Sequence, residues 1–182
     1  MESVRPLQPL LFLDVDGPLI PFGATPRELP HGYPLYGPAD DGNPLLARLD
    51  PAIGPRLLAL PCSLVWATTW MDDANAWVGP RIGLPQLPVV PLPEPAEEDG
   101  PGAGRRRPHW KVHVLLDHAA GRPFAWVDDE IAAADRAWVD AHHPGRALLH
   151  RVDARFGLTD ADFAALDAWL RGPARLGRAR TR

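Results

Sequence analysis

Short apolar runs alternate along the chain with segments in which apolar residues recur at helical spacing. The runs have the length and the flanking turn residues of buried parallel strands; they are residues 8–13, 62–67, 87–91, 124–127 and 147–152. The segments with helical spacing are residues 51–60, 73–80, 109–119, 131–142 and 160–170. Because strands and helices alternate, we expect an α/β fold: a Rossmann-like parallel sheet with helices on both faces.

Local signals mark several helix ends. Thr159 followed by Asp162 predicts a capping box at the start of the last helix. Asp72 or Asp73 is expected to cap the second helix, and Gly121 is expected to stop the third. These signals agree with the boundaries that the periodicity predicts.

Three segments show neither the apolar runs of strands nor the helical spacing of apolar residues. Residues 18–47, rich in proline, glycine and tyrosine, are predicted to form a flap or small insertion. Residues 92–108 are predicted to be a mobile surface loop, and residues 171–182 form a basic tail. A chain of 182 residues has the length of one domain, which we assign to residues 1–170.

The composition indicates the cellular compartment that we expect and argues against a membrane partner. No apolar stretch approaches the ~20 residues needed to span a membrane, and the residues after Met1 lack the basic and apolar regions of a signal peptide. The single cysteine, Cys62, excludes an intrachain disulfide and a cysteine-rich zinc site. We therefore expect a cytoplasmic protein without a membrane partner.

The charged residues are distributed unevenly. The net charge is −4, but the tail holds five arginines and no acidic residue, which leaves 14 cationic against 23 acidic side chains in the rest. An acidic body argues against a broad nucleic-acid-binding surface. Among 19 cationic residues only Lys111 is a lysine. Either a coding bias toward arginine explains this excess, or residue 111 requires a compact ammonium that a planar guanidinium cannot replace.

Polar side chains follow three of the predicted strands at their carboxyl ends: Asp14, Asp16, Thr68, Asp128 and Asp129. The carboxyl ends of parallel strands meet at one edge of the sheet, where ligands bind. Two charges ~4 Å apart repel by about 4 kcal/mol at an effective dielectric near 20, so four carboxylates there need protons or a divalent cation. Ligands that are all oxygen favour Mg²⁺ over zinc or copper.

The Asp-x-Asp-Gly sequence that ends at Gly17 also occurs in EF-hand calcium loops. With Gly17 at loop position 6, positions 1 and 12 would be Phe12 and Gly23. Neither side chain can bind a cation, and an apolar strand rather than a helix precedes the sequence. We therefore exclude a calcium loop.

The same residues resemble the motifs of the haloacid dehalogenase (HAD) superfamily. The sequence Leu-Phe-Leu-Asp-Val-Asp-Gly, ending at Gly17, looks like motif I, Thr68 like motif II, Lys111 like motif III, and Asp128-Asp129 like the acidic motif IV. All four occur in the family's order over residues 8–170. Trp-Ala-Thr-Thr-Trp and Trp-Val-Asp-Asp-Glu are also similar to sequences of small bacterial HAD-like proteins, among them domains associated with RNA repair.

The resemblance implies a role for each matching residue. Asp14 would be the nucleophile that takes up the phosphoryl group, and Asp16 the acid that protonates the leaving oxygen and then activates water. Lys111 would neutralise charge on the nucleophile and on the transferring group. The Mg²⁺ ligands would be Asp14, the backbone carbonyl of Asp16, Asp128, and Asp129 directly or through water.

Substrate contacts are expected from the residues after the second strand. Thr68 would hydrogen-bond a phosphate oxygen, with Thr69 as the alternative motif II residue, and Trp70 is placed to line a substrate pocket. Pro18 departs from the family pattern, in which threonine is usual, and it removes one N–H donor. Asp16 favours phosphoryl transfer over dehalogenation, because dehalogenation of a carbon centre needs no proton donor there.

The expected function is Mg²⁺-dependent hydrolysis of a phosphate ester through an aspartyl-phosphate. The expected partner is a phosphorylated small molecule or a phosphorylated nucleic-acid end. About 50 residues separate the ends of the first two strands, so we expect a minimal cap or none and an open site. Two alternatives remain: a catalytically inactive HAD-like binding module, and a phosphatase that processes nucleic-acid ends.

Overall fold

Four parallel strands form the sheet within the residues that this computed structural model describes, which are 8–37, 42–93 and 107–172. The strands are β1 (Leu10–Leu13), β2 (Ser63–Trp66), β3 (Phe124–Asp128) and β4 (Ala147–Arg151), in the spatial order β2-β1-β3-β4. The predicted α/β fold with a Rossmann-like parallel sheet is therefore confirmed. Most of the predicted loop 92–108 and of the tail 171–182 lies outside the described residues.

Among the described residues, four helices lie in the connections between the strands, as parallel pairing requires, and a fifth follows the last strand. They are α1 (Ile53–Leu58), α2 (Gly79–Ile82), α3 (Lys111–Ala119), α4 (Ala133–His142) and α5 (Asp160–Arg171). A 3₁₀ turn, Pro44–Arg48, precedes α1, and a π-helical turn, Ala74–Val78, leads into α2. No helix in the described part of the chain is long and apolar enough to cross a membrane.

Side chains that alternate along the strands pack into two separate cores, one on each face of the sheet. Leu11, Leu13 and Trp66 belong to the core that includes residues of α1, α2 and α5. Phe12 and Trp126 belong to the other, which includes residues of α3 and α4. The apolar strands are thus covered on both sides, which explains why they contain almost no polar residues.

Two predicted elements differ from the structure. The run 87–91 forms one bridge, Trp66 to Val89, instead of a strand, because the flanking Pro88 and Pro91 have no N–H to donate to a ladder. The segment 73–80 is a π-helical turn followed by the short α2, where Gly79 N–H bonds the carbonyl of Ala74, five residues earlier.

The predicted helix ends are mostly confirmed. Thr159 Oγ1 accepts from Asp162 N–H, and the Asp162 carboxylate accepts from Thr159 N–H, which is a capping box. The chain leaves α3 through left-handed residues at Ala120 and Gly121. Asp73 occupies the N-cap of the π-helical turn, but its side chain makes no capping hydrogen bond.

The described part of the segment 18–47 folds back onto the body of the domain. Phe22 N–H bonds the carbonyl of Ala154, and Leu158 N–H bonds the carbonyl of Pro18. Tyr36 N–H bonds the carbonyl of Ala47 in the 3₁₀ turn. The described part of this segment is therefore a small flap bonded to the body of the domain.

Helices α1 and α2 approach each other most closely at Gly54. A Cβ added there would lie 1.6 Å from the carbonyl oxygen of Ile82, so the two helices would have to separate. We expect Gly54→Ala to lower the free energy of unfolding by about 3 kcal/mol, the upper range for overpacking, as measured by urea denaturation. Gly37→Ala, with no described atom within 4 Å of the added carbon, is the matched control. Equal stability of the two variants would contradict this packing.

Candidate functional site

Three carboxylates meet at the carboxyl ends of the two central strands. Asp14 directly follows β1, Asp128 ends β3, and Asp129 follows it. One oxygen of each lies within 4.8 Å of the others. The convergence expected from the sequence is therefore found for these three residues, which we call the carboxylate cluster.

Lys111, the first residue of α3, joins two members of the cluster. Its Nζ lies 2.8 Å from Asp14 Oδ2 and 2.8 Å from Asp128 Oδ2, and only 4% of the residue is exposed. Burial alone would lower the pKa of Lys111, but the charges of Asp14 and Asp128 and their hydrogen bonds raise it above its ordinary value. The lysine is thus a fixed cation inside the cluster.

One ammonium does not neutralise three carboxylates. Burial raises the pKa of Asp14 to about 7, with the charge of Asp128 adding to it and Lys111 opposing it. Burial and the charge of Asp128 likewise raise the pKa of Asp129 to about 6. The cluster therefore resists full ionisation unless a further cation is present, and its carboxylate oxygens are a donor set that fits Mg²⁺.

Neighbouring groups hold the carboxylates in fixed orientations. Asp14 Oδ1 accepts from Val15 N–H at 2.8 Å. Asp128 Oδ1 accepts from Glu130 N–H at 2.8 Å, and Asp128 Oδ2 accepts from the indole of Trp126 at 3.2 Å. Asp128 is fully buried, whereas Asp14 is 7% exposed. Of these two, Asp14 is the carboxylate that a substrate can reach.

Gly17 allows Asp129 to approach the turn that follows β1. Its φ is +85°, and a Cβ built there would lie 2.7 Å from Asp129 Cγ. Only glycine satisfies both the left-handed conformation and the close contact without strain. Gly17 thus lets the turn after β1 pack directly against Asp129, the residue after β3, beside the carboxylate cluster.

A second group of contacts lies around Asp16. The half-buried Asp16 accepts from the Trp70 indole at 2.9 Å, and Trp70 N–H lies 3.3 Å from Thr68 Oγ1. Thr68 is fully buried and Thr69 is exposed. Asp16, Thr68 and Trp70 are therefore linked to one another, while Thr69 takes part in neither group of contacts.

Sequence reasoning missed the residues that hold the lysine helix in place. His109 Nδ1 accepts from Lys111 N–H at 3.2 Å, and its Nε2 lies 3.0 Å from Glu130 Oε2, which assigns the ring proton to Nε2. The fully buried Asp135 accepts from the N–H groups of His109 and Ala132 at 2.5 and 2.6 Å. Asp135 thereby connects the start of α3 to the start of α4.

The comparisons with known proteins do not assign a family. No family model, curated protein or solved structure matches the chain. The interpretation of the site depends on its geometry and on the resemblance of its motifs.

The raised pKa of Asp14 predicts a specific pH dependence of stability. The pKa is about 7 in the folded chain against an ordinary 3.8, so ionisation favours the unfolded chain and stability falls as the pH rises through this window. An asparagine resembles the protonated acid and avoids this loss. In metal-free buffer we expect the melting temperature of Asp14→Asn to exceed that of the wild type increasingly from pH 4 to pH 7, with no further change above pH 7.

Asp167→Asn is the control of opposite sign. The Arg171 hydrogen bond lowers the pKa of Asp167, so its ionised form favours the folded chain and that stability is lost as the pH falls. Asp167→Asn should be slightly less stable than the wild type at neutral pH, with a difference that vanishes in acid. A pH-independent difference for Asp14→Asn would contradict the description of the cluster.

Asp135 is expected to be essential for stability. Asp135→Ala leaves the buried N–H of His109 and the part-buried N–H of Ala132 without their acceptor, and an unsatisfied buried group costs about 1–3 kcal/mol. We expect urea denaturation to show a loss of at least about 2 kcal/mol. Asp140→Ala, an exposed acidic residue on the same helix, should change stability little. Similar free energies of unfolding for both variants would show that Asp135 does not stabilise the site.

Proposed function

We propose that the chain is a HAD-type, Mg²⁺-dependent phosphate-ester hydrolase that acts through an aspartyl-phosphate. The observation that carries this proposal is the Lys111 ammonium between Asp14 and Asp128, with Asp129 beside them. A carboxylate can attack a negatively charged phosphate only where nearby cations cancel the charge. The cluster combines a reachable carboxylate, a fixed ammonium and an oxygen donor set suited to Mg²⁺.

Asp14 is the best candidate for the nucleophile. Both oxygens of each carboxylate accept hydrogen bonds, so exposure separates the two, and Asp128 is fully buried. Asp14 is partly exposed and lies against the same ammonium. The Mg²⁺ ion, held by Asp14, Asp128 and Asp129, would supply positive charge that keeps these carboxylates ionised and offsets charge on the phosphate.

The reaction proceeds in two steps. In the first, an Asp14 oxygen forms a bond to phosphorus, the bond from phosphorus to the ester oxygen breaks, and Asp16 gives its proton to that oxygen. In the second, Asp16 takes a proton from a water molecule as the water oxygen attacks phosphorus. The bond from phosphorus to Asp14 breaks, which releases phosphate and restores both aspartates.

The contacts of Asp16 support its part in this reaction. It lies two residues from the nucleophile, and the indole of Trp70 fixes one carboxylate oxygen. Its other oxygen is left for a proton transfer. Thr68, tied to the same group through Trp70 N–H, is proposed to hydrogen-bond a phosphate oxygen.

Pro18 does not open the turn that follows the nucleophile. The N–H groups of Leu19 and Ile20 both bond the carbonyl of Val15, and the carbonyl of Pro18 accepts from Leu158 N–H. The turn is closed by its neighbours although proline supplies no donor. This supports an active enzyme over an inactive binding module.

The substrate is proposed to be a phosphorylated small molecule or a phosphorylated nucleic-acid end, and the protein is proposed to act in the cytoplasm. A screen for phosphate release tests the reaction, using nucleotides, sugar phosphates and 3′-phosphorylated oligonucleotides with and without Mg²⁺. We expect Mg²⁺-dependent release from at least one class. Beryllium fluoride with Mg²⁺ should raise the melting temperature of the wild type and leave that of Asp14→Asn unchanged. Absence of both effects would favour an inactive module.

Lys111 is expected to be irreplaceable even by another cation. An arginine keeps the charge, but its planar guanidinium is larger than the ammonium that fits between Asp14 and Asp128. We expect Lys111→Arg to reduce kcat at least tenfold, about 1.4 kcal/mol in activation free energy, in a phosphate-release assay. Arg171→Lys, a cation exchange on the exposed side of α5, serves as the control. Normal turnover of Lys111→Arg would show that the single lysine is a result of coding bias.

A further inference from the structure

Arg151 is a cation at the same edge of the sheet as the carboxylate cluster. It is the last residue of β4 and pairs in register with Asp128. Its Nε donates to the backbone carbonyl of Asp129 at 2.9 Å. In the described part of the chain this is the one hydrogen bond of its side chain. The N–H groups of the two terminal nitrogens, Nη1 and Nη2, are therefore available to a ligand.

A polar pocket of about 410 Å³ adjoins both Arg151 and the cluster. Its lining residues are Asp129, Arg151, Val152, Asp153, Ala154 and Arg155. Because Asp129 belongs to the cluster, the pocket opens beside the position where the scissile phosphate would bind. A group attached to that phosphate, and not a separate ligand, is the natural occupant.

The second arginine of the pocket, Arg155, is already paired. Arg155 Nη2 lies 2.6 Å from Asp153 Oδ2, and Arg155 Nη1 contacts Glu28. Arg155 is thus shared between two carboxylates and is not available to a ligand, and its hydrogen bonds, with a contribution from the charge of Arg151, lower the pKa of Asp153. Arg151 is the cation of this pocket that can bind a further anion.

We propose that Arg151 binds a second phosphate group of the substrate, next to the phosphate that is hydrolysed. The terminal nitrogens of a guanidinium match two phosphate oxygens, and the Nε bond to Asp129 holds the group in place before substrate binds. This inference rests on the proposed hydrolase function and deepens it. The second phosphate belongs either to a small bisphosphate or to the next phosphodiester of a polynucleotide end.

Binding measurements test the inference independently of turnover. The probes are adenosine 3′-monophosphate, adenosine 3′,5′-bisphosphate, and a 3′-phosphorylated adenosine dinucleotide without a 5′-phosphate. Titration calorimetry on the Asp14→Asn protein with Mg²⁺ should give a Kd for at least one doubly phosphorylated probe that is at least tenfold lower than for the monophosphate. A preference for the bisphosphate identifies a small-molecule substrate, and one for the dinucleotide a polynucleotide end.

Substitution of Arg151 should remove this preference. In Arg151→Gln we expect all three Kd values to become similar, whereas Arg171→Gln, which removes an arginine on α5, should retain the difference. Arg151→Lys should retain part of it. A purely structural role of Arg151 would weaken binding of all probes equally, and that result, or equal wild-type affinities, would overturn the inference.

Measurements of kcat/KM distinguish failure of the second-phosphate inference from failure of the proposed hydrolase function. If the wild type hydrolyses phosphate monoesters but its kcat/KM shows no preference for a second phosphate, the inference is wrong and the proposed function stands. If no monoester is hydrolysed, the proposed function is wrong and the inference falls with it, whatever the probes bind. A preference of at least tenfold in kcat/KM that Arg151→Gln abolishes supports both.

Discussion

One buried ammonium between two carboxylates is the contact on which this site depends. Lys111 lies 2.8 Å from both Asp14 and Asp128, and these three groups come from the end of one strand, the start of a helix and the end of a second strand. Removing the ammonium would leave two buried carboxylates without a counter-charge. The ion pairs therefore fix the start of α3 over the central strands, beside the positions proposed for a cation and a phosphate.

Much of the surrounding structure serves to hold these charges. Asp135 anchors the segment before Lys111, His109 receives the lysine's own N–H, and the indole of Trp126 bonds Asp128. Each support comes from an element that also belongs to the core on the α3 and α4 face. The positions of the core helix α4 and of Lys111 are consequently coupled, because a shift of α4 would move the start of α3.

The sequence predicts all four strands of the described sheet and three of the four aspartates expected to converge, because buried parallel strands are continuous apolar runs whose ends lie at one edge. The fourth, Asp16, bonds the Trp70 indole instead. It does not predict the π-helical turn or the single bridge at Val89, since proline and glycine change local hydrogen bonding within an otherwise regular pattern. The sequence does not predict the role of Asp135, because the predicted helix begins at residue 131. In the structure α4 begins at Ala133, which places Asp135 in the first turn, where its carboxylate can accept backbone N–H groups. The pairing of Arg151 with Asp128 depends on sheet register, which one sequence does not reveal.

Under the proposed function, the inner strands carry the reacting and metal-binding groups, and the outer strands carry residues that contact phosphate oxygens. In the described sheet the two inner strands, β1 and β3, end in the carboxylates proposed to react and to hold the metal, while the outer strands β2 and β4 lead to Thr68 and Arg151. Outer strands have one neighbour fewer and tolerate change more readily than inner ones. Under the proposed function, substitutions at the β4 margin could therefore change which phosphorylated compound binds, while the residues at the ends of the inner strands stay the same.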